Sequence, residues 1–231
     1  MMEVPSSATL NHSTNDSITG QDDPSGPGKA ILTSKKLVWE FGHALERCGR
    51  SNTMEAADLQ TVLDRYTIGG TDYTFRSVYP FRDKLQSTAA VARQFWRPLF
   101  TSFSQLQKRA DIFIAGPNSL TTSDDDGVWV LSMGHFMGLF DHDWLGIRAT
   151  RQVATLRYAE FSHVRWLSHH EDQEMRTPKI FQTALFLDIV GLMQMIGMNP
   201  LPPSTGQFFP CTPGPKPHDG LLVSHNAPLE E

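Results

Sequence analysis

A single carboxylate, Asp188, lies inside the apolar stretch LFLDIVGLMQMIGM in the last third of the chain. A carboxyl group that faces an apolar cavity loses hydration and becomes easier to protonate, which suits it to general acid and base catalysis. Aspartate is also a favoured N-cap, because its side chain accepts backbone N–H bonds at the start of a helix. The sequence leaves both roles open for Asp188, and the two can coexist.

Two histidines are candidate partners for this carboxylate, because imidazole exchanges protons near neutral pH. His135 lies in WVLSMGHFMGLF, where strand alternation places it on the same face as Trp129 and Met133 and opposite Phe136. His163 lies in RYAEFSHV, and a bulge there could turn its ring towards a site. The alternative for both residues is a structural role, as a hydrogen-bonded histidine in the core or at an interface.

Several large side chains could line a pocket for a flat, conjugated ligand. Arg157 could hold an enolate or a carboxylate, and the Tyr158 phenol could donate a hydrogen bond to a carbonyl oxygen. By parity Arg157 and Glu160 lie on opposite faces of one strand, where polar contacts at the rim are their simplest role. The aromatic candidates, for which plain core formation is the alternative, are Trp96, Trp129, Phe136, Trp144 and Phe186.

The sequence contains no signature of a dedicated cofactor or metal site. A GxSxG elbow, a P-loop, an HExxH motif and a dinucleotide fingerprint are all missing. SHHEDQE at 168–174 looks like a metal motif, but adjacent strand histidines point to opposite faces, so it is interpreted as a hairpin tip. The net charge of −5 includes no basic field for nucleic acid. We therefore expect proton transfer with no metal and no cofactor.

Helical spacing predicts the elements that come first. SKKLVWEFGHALERCG and TMEAADLQTVLDRY carry apolar residues at this spacing, with Ser34 and Thr53 as candidate N-caps. TDYTFRSVYPF is typical of a strand. STAAVARQFWRPLFTSF predicts a third helix, which Pro98 must bend or break. Its apolar stripe consists of Val91, Phe95, Leu99 and Phe103.

The second half of the folded region changes to strand character. Four long segments are rich in β-branched and aromatic residues, namely KRADIFIAG, GVWVLSMGHFMGLF, RQVATLRYAEFSHVRWL and KIFQTALFLD. They predict a run of antiparallel strands. IVGLMQMIGM then returns to helical spacing and ends before Asn199. Helices followed by such a sheet predict an α+β domain with the helices packed on one face.

The folded unit is expected at 33–206. Residues 1–32 are rich in small polar residues, glycine and proline, and 207–231 are rich in proline, so both are predicted to be tails. The only two cysteines lie far apart, which favours a reducing compartment. Neither a signal peptide nor an apolar stretch of membrane length is present. We therefore expect a soluble cytoplasmic protein with no membrane contact.

Four strings occur in a characteristic order: AVARQFWRPLF, WVLSMGHFMGLF, a WLGI segment before RYAEF, and a closing LFLD…GLMQ…PLPPSTG. Together they resemble the SnoaL-like polyketide cyclase family of the nuclear transport factor 2-like superfamily. PGPKPHDGLL also resembles the linker after the first domain of tandem-domain members. The resemblance implies a cone-shaped, cystatin-like α+β barrel, in which a strongly curved mixed sheet wraps the helices around a deep apolar pocket.

The resemblance implies that Asp188 is the general acid/base of a cofactor-independent cyclase, isomerase or dehydratase. Its substrate would be a polyketide-like or other conjugated carbonyl compound of secondary metabolism. Many relatives have a histidine directly after the EF of RYAEF, where this chain has Ser162 followed by His163, so the family's aspartate–histidine pair is altered. The alternative is a non-catalytic module on the same fold, which binds an apolar or aromatic ligand or forms a homodimer through its sheet.

Overall fold

The helices come first in the chain and the long strands follow, as the sequence predicts. The computed structural model describes residues 27–51, 53–81, 84–118, 127–168 and 176–200. Its elements are α1 Pro27–Gly49, α2 Ala56–Tyr66, β1 Thr74–Ser77, β2 Leu85–Gln86, α3 Thr88–Val91, a π-helical turn Ala92–Trp96, α4 Arg97–Ser102, β3 Phe103–Pro117, β4 Val128–Phe140, β5 Val153–Ser168, β6 Arg176–Leu187 and α5 Ile189–Met195.

The described strands form one six-stranded sheet in the order β2-β1-β6-β5-β4-β3. The four long strands pair antiparallel with one another, whereas β1 pairs parallel with β6, so the sheet is mixed. The sheet is open, with β2 and β3 at its edges. Helix α1 packs across β3, β4 and β6. The predicted α+β class with a mixed sheet is therefore confirmed.

Alternation along the strands decides which side chains face the helices. On β4 the even-numbered residues from Val128 to Phe140 form the inner face, and most of them are buried. The odd-numbered residues lie on the outer face, where Met133 and Leu139 are exposed. The two faces of the sheet therefore carry different sets of candidate residues.

The third predicted helix continues through Pro98 instead of ending there. Proline cannot donate a backbone hydrogen bond, and its ring crowds the carbonyl one turn back. The helix widens into a π turn just before it, where the Arg97 N–H donates to the Ala92 carbonyl. This wide turn accommodates the proline, and the predicted apolar stripe is fully buried as expected at Val91, Phe95, Leu99 and Phe103.

Helix α1 begins earlier than the sequence predicts. It starts at Pro27, inside the segment predicted to be a tail, because proline suits the first helical turn and Ala30 and Ile31 pack against the core. Ser34 is therefore a mid-helix residue and not an N-cap. Its hydroxyl donates a hydrogen bond to the Ala30 carbonyl at 2.8 Å.

Helix α2 is also capped by a different residue from the one predicted. Glu55 replaces Thr53 as the N-cap. The Glu55 side chain and the Asp58 side chain each accept from the other residue's backbone N–H in a reciprocal capping box. The longer Glu55 side chain performs the role predicted for threonine.

Some predicted features lie outside the described residues. They include the rest of the N-terminal tail, the domain end near 206, the C-terminal tail and most of the SHHEDQE segment. Among the helices that the structure describes, none has the length and apolar character needed to cross a membrane.

Candidate functional site

Asp188 caps the last helix. It lies between β6 and α5, and its carboxylate accepts the Gly191 N–H with an oxygen–nitrogen distance of 2.7 Å. A Cβ on Gly191 would lie 2.4 Å from this carboxylate, so the glycine leaves room for the cap. The Asp188 side chain is exposed and lines neither lobe of the cleft described below. The geometry thus shows the capping role, and the acid/base role stays a prediction.

His135 lies on the outer face of β4, opposite to the face that packs against α1. It is directly opposite Arg109 of β3 and Arg157 of β5, and its Nδ1 lies 3.4 Å from the Asp111 carboxylate. The predicted parity is confirmed, because Phe136 is buried on the inner face. His135 and Arg157 therefore belong to a polar row on the outer surface.

His163 lies on the same outer side and stacks on Trp129, with ring centroids 4.6 Å apart and planes 14° apart. The two residues are directly paired across β4 and β5. The nearby register shift leaves Phe181 of β6 as the extra residue, so this bulge does not turn His163 inward. Ser162, the neighbour of His163 on β5, is buried on the inner side.

The predicted aromatic binding residues separate into different environments. Trp96, Phe136 and Tyr158 form a chain of contacts on the inner face, with ring centroids 6.4 Å and 4.8 Å apart. Phe186 is exposed on the outer face, and Trp144 is buried in the core. The first three residues are the ones brought together beside the cleft that the described residues form.

A narrow cleft lies between α1 and the inner face of the sheet. It has two lobes, which share Gly42, Glu46 and Lys108. The volumes of about 310 Å³ for the first lobe and about 260 Å³ for the second include open solvent at their mouths, so the enclosed space within each lobe is much smaller. The first, called the Trp39 lobe, is otherwise lined mainly by Trp39, His43, Ala110, Phe113, Ser132 and Tyr158. The second, called the Trp96 lobe, is otherwise lined by Leu45, Trp96, Phe100, Leu106 and Phe136.

A bulge in β3 brings the cleft residues of this strand onto one face. The pairing of β3 with β4 leaves Asp111 as the extra residue. The extra residue changes the parity of the strand, so Lys108 and Phe113 both line the cleft although regular alternation would separate them. Gly134 lies opposite the bulge, where a Cβ would be 1.9 Å from the Arg109 carbonyl oxygen. Glycine at 134 therefore permits the close approach of the two strands.

Lys108 and Glu160 form an ion pair at the wall of this cleft. Glu160 is 1% exposed, so its charge would be unfavourable without a cation beside it. Burial is the largest single effect on the pKa of Lys108 and acts to lower it, but Glu160, Tyr158 and Glu46 together outweigh burial, so the pKa lies above its ordinary value. The ammonium group therefore stays protonated. The prediction of rim contacts for Glu160 is wrong, because parity turns this residue inward.

Tyr158 presents its phenol at the same wall. Its hydroxyl oxygen lies 2.9 Å from the Ser132 hydroxyl oxygen, and the Lys108 Nζ lies 5.0 Å from its ring centroid. Burial raises the pKa of Tyr158, and the opposing effects of Lys108 and the Ser132 hydrogen bond are smaller. The phenol is therefore neutral and can donate a hydrogen bond to a ligand oxygen.

The α1 side of the cleft carries a histidine–carboxylate pair that the sequence motifs did not indicate. His43 Nδ1 lies 3.5 Å from one Glu46 carboxylate oxygen, and Arg50 binds the other oxygen. His43 and Glu46 share one face of α1 because they are three residues apart, and Arg50 follows directly after the last residue of the helix. This spacing is visible in HALERCGR as polar residues next to the apolar stripe, and it is the signal that could have identified the pair.

The cleft combines hydrogen-bond donors and a proton acceptor in apolar surroundings. Lys108, Tyr158 and Ser132 can donate to an oxygen atom, while the His43 imidazole can accept a proton. Within the ranges that the structure describes, no group of three or more His, Cys, Asp or Glu side chains is placed to hold a metal ion.

Comparisons with known proteins return similar structures at low sequence identity. A candidate SnoaL-like polyketide cyclase from Jannaschia sp. CCS1 is 14% identical with a TM-score of 0.45, over 75% of this chain and 96% of that chain. A nuclear transport factor 2-like superfamily protein from Salmonella enterica serovar Typhimurium is 8% identical with a TM-score of 0.45, over 80% and 100% of the two chains. A ketosteroid isomerase-like protein from Erwinia carotovora atroseptica is 14% identical with a TM-score of 0.39, over 69% and 95%.

These matches include the groups that the sequence motifs resemble. No family model matches the chain. No curated protein matches it either.

Replacing the cap residue tests its structural role. Asp188→Ala should lower the free energy of unfolding by about 0.5–2 kcal/mol, because the Gly191 N–H loses its acceptor. Asp188→Ser keeps a capping oxygen and should recover most of that loss. Urea unfolding followed by circular dichroism measures both variants. Equal stability of wild type and Asp188→Ala would contradict the cap.

Separating the ion pair tests how strongly the interior depends on it. Lys108→Met should lower the free energy of unfolding by about 3–5 kcal/mol, because Glu160 then remains buried without a cation. The double variant Lys108→Met/Glu160→Met removes both charges and should lie much closer to wild type. Lys36→Met, at an exposed lysine of α1, is the control and should change little. Guanidinium unfolding measures the free energy of unfolding of all four proteins. A double variant that is less stable than Lys108→Met would refute the pairing.

Proposed function

We propose that the chain is a cofactor-independent enzyme of the cyclase, isomerase or dehydratase type, which moves a proton on a conjugated carbonyl compound bound in the cleft. The observation that carries the proposal is the meeting of Lys108, Tyr158 and His43 at the wall of one largely apolar lobe. Titratable groups that converge in such a cleft are typical of a functional site.

Lys108 and Tyr158 supply donors for the carbonyl oxygen of the ligand. The protonated ammonium and the neutral phenol both donate hydrogen bonds, and these strengthen as the oxygen takes on the negative charge of an enolate. Glu160 holds the ammonium group, and the Ser132 hydroxyl holds the phenol, so both donors are in place before the ligand binds.

His43 takes the proton from the carbon next to the carbonyl. Glu46 faces Nδ1 of the imidazole, which leaves Nε2 to accept the proton. The C–H bond breaks, its electron pair forms the enolate double bond, and the carbonyl π electrons move to the oxygen. Returning the proton to another carbon gives an isomer. Ring closure or loss of water would start from the same enolate.

The Trp96 lobe receives the apolar part of the ligand. Trp96 stacks on Phe100 at 5.7 Å and contacts the edge of Phe136, so this lobe offers flat aromatic walls. A polyketide-like compound of secondary metabolism has the required conjugated rings and carbonyl groups. The substrate class expected from the sequence is therefore retained, whereas the proposed base is His43.

Deuterium exchange tests the proton transfer even when the product has not been identified. Wild-type protein should catalyse uptake of deuterium from heavy water next to the carbonyl group of aryl alkyl ketones, measured by mass spectrometry. His43→Gln should slow this exchange by about a hundred- to ten-thousandfold, because the base is lost. The His43 side chain is 44% exposed, so the fold should tolerate the change.

His142→Gln is the matched control, because His142 is an exposed histidine that lines neither lobe. It should leave the exchange rate unchanged. Exchange that survives in His43→Gln but is lost in Asp188→Asn would transfer the role of base to Asp188. Ketones that bind without any exchange above the buffer rate would favour a non-catalytic binding protein.

A second candidate function is the dimerisation module, and the outer face of the sheet favours it. Two adjacent cross-strand rows on this face are apolar, and they consist of Ile112, Met133, Ala159 and Phe186, and of Ile114, Leu131, Phe161 and Ala184. Phe161 is 37% exposed and Phe186 is 47% exposed. Arg109 and Arg157 border the patch. An apolar centre with a polar rim suits the self-complementary interface of a homodimer, which is compatible with either function.

Phe161→Glu tests the proposed dimer. The wild type should sediment as a dimer at tens of micromolar, and the variant should sediment as a monomer, because a carboxylate would be buried at the centre of the interface. Val190→Glu is the control, since Val190 is 38% exposed on α5 outside the two rows. Sedimentation velocity measures all three proteins. A monomeric wild type would refute the interface.

A further inference from the structure

We propose that Arg50 is a positioning residue of the cleft, which holds the Glu46 carboxylate against the His43 imidazole and ties α1 to β3 at the same time. This inference rests on the proposed function, in which His43 accepts the proton. Arg50 lines neither lobe of the cleft, so it would act through Glu46 and not through contact with a ligand.

The Arg50 guanidinium bridges the two walls of the cleft. A terminal nitrogen of this group binds a Glu46 carboxylate oxygen on α1, and its Nε donates to the Leu106 carbonyl of β3 at 3.4 Å. Leu106 is two residues before Lys108, and Glu46 is three residues after His43. A guanidinium can make both contacts because its donors are fixed in a planar fork. Arg50 therefore links the wall that carries the proposed base to the wall that carries a donor for the carbonyl oxygen.

The Glu46 carboxylate is shared by three basic groups. Its Oε1 binds Arg50, and its Oε2 lies 3.5 Å from the His43 Nδ1. Its charge also acts on Lys108 across the cleft. Without Arg50, the attraction of the Lys108 ammonium would draw the carboxylate away from the imidazole. Arg50 therefore keeps Glu46 on the α1 side, where the second carboxylate oxygen faces His43.

The position of Glu46 determines which nitrogen of the His43 ring is free. A carboxylate opposite Nδ1 favours the tautomer with the proton on that nitrogen, so Nε2 keeps a lone pair for the proton of the ligand. Trp39 meets the His43 ring edge to face, with ring centroids 4.8 Å apart, which restricts rotation of the imidazole. An imidazole without a partner at Nδ1 prefers the opposite tautomer, in which Nε2 carries the proton and cannot act as the base. Loss of Arg50 should therefore change the tautomer of His43.

Nitrogen-15 NMR of protein labelled at its histidines reads the tautomer, because the shifts of the two ring nitrogens show which one carries the proton. The His43 signals are identified by their loss in His43→Gln. At a pH where the ring is neutral, the wild type should carry the proton mainly on Nδ1, whereas Arg50→Gln should carry it mainly on Nε2. This measurement needs no substrate.

Deuterium uptake by acetophenone, an aryl alkyl ketone, shows the effect on the reaction. Arg50→Gln should lower kcat about ten- to a hundredfold and leave KM within about twofold of wild type, because the base changes while the lining of the cleft stays intact. Arg50→Lys keeps a cation beside Glu46, so it should restore the Nδ1 proton and recover part of kcat. Arg47→Gln is the matched control, since Arg47 is an exposed arginine in the last turn of α1, and it should match the wild type in both measurements.

The outcomes separate this inference from the proposed function. Exchange at the wild-type rate in Arg50→Gln overturns this inference alone, because the base then works without Arg50. A lower kcat with an unchanged tautomer also overturns it, because the loss is then a general effect on the structure. If the wild type shows no exchange above the buffer rate while the tautomer changes as expected, the proposed function is overturned and the effect of Arg50 on the His43 ring stands.

Discussion

The ion pair between Lys108 and Glu160 is the constraint on which the interior of this protein depends. Lys108 belongs to β3 and Glu160 to β5, so the lysine side chain must span β4 to reach its partner. In the register of the sheet, the inward position between them on β4 is Gly134, which has no side chain to obstruct the lysine. The bulge in β3, the small residue opposite it and the cleft beside the ammonium group therefore all lie around one buried charge that needs a partner.

The candidate functional residues are divided between the two faces of the sheet. His135 and His163, the two histidines that the sequence offers as partners for Asp188, lie on the outer face, and Asp188 is engaged as a cap. The inner face carries Tyr158 and the ion pair beneath α1. A strand places neighbouring residues on opposite sides, so a change of one position moves a functional group between surface and cleft.

The extent to which the sequence predicts this arrangement depends on how local the information is. The parity of β4 was predictable because its hydrophobic pattern is regular, and His135 lies where that pattern places it. The parity of β3 was not predictable, because Asp111 can be recognised as an extra residue only when the pairing of β3 with β4 is known. The partner of Lys108 lies on a strand that is not its neighbour, which no local pattern encodes. The pair of His43 and Glu46 could have been predicted from the sequence, since both residues lie on one helix face.

The π turn ahead of Pro98 has a consequence for the spacing of the buried residues along this helical segment. An α-helix has about 3.6 residues per turn, so residues four positions apart drift around its axis. The wider π turn holds more residues and turns this drift back. Val91, Phe95, Leu99 and Phe103 can therefore keep a strict four-residue spacing and still face the same core.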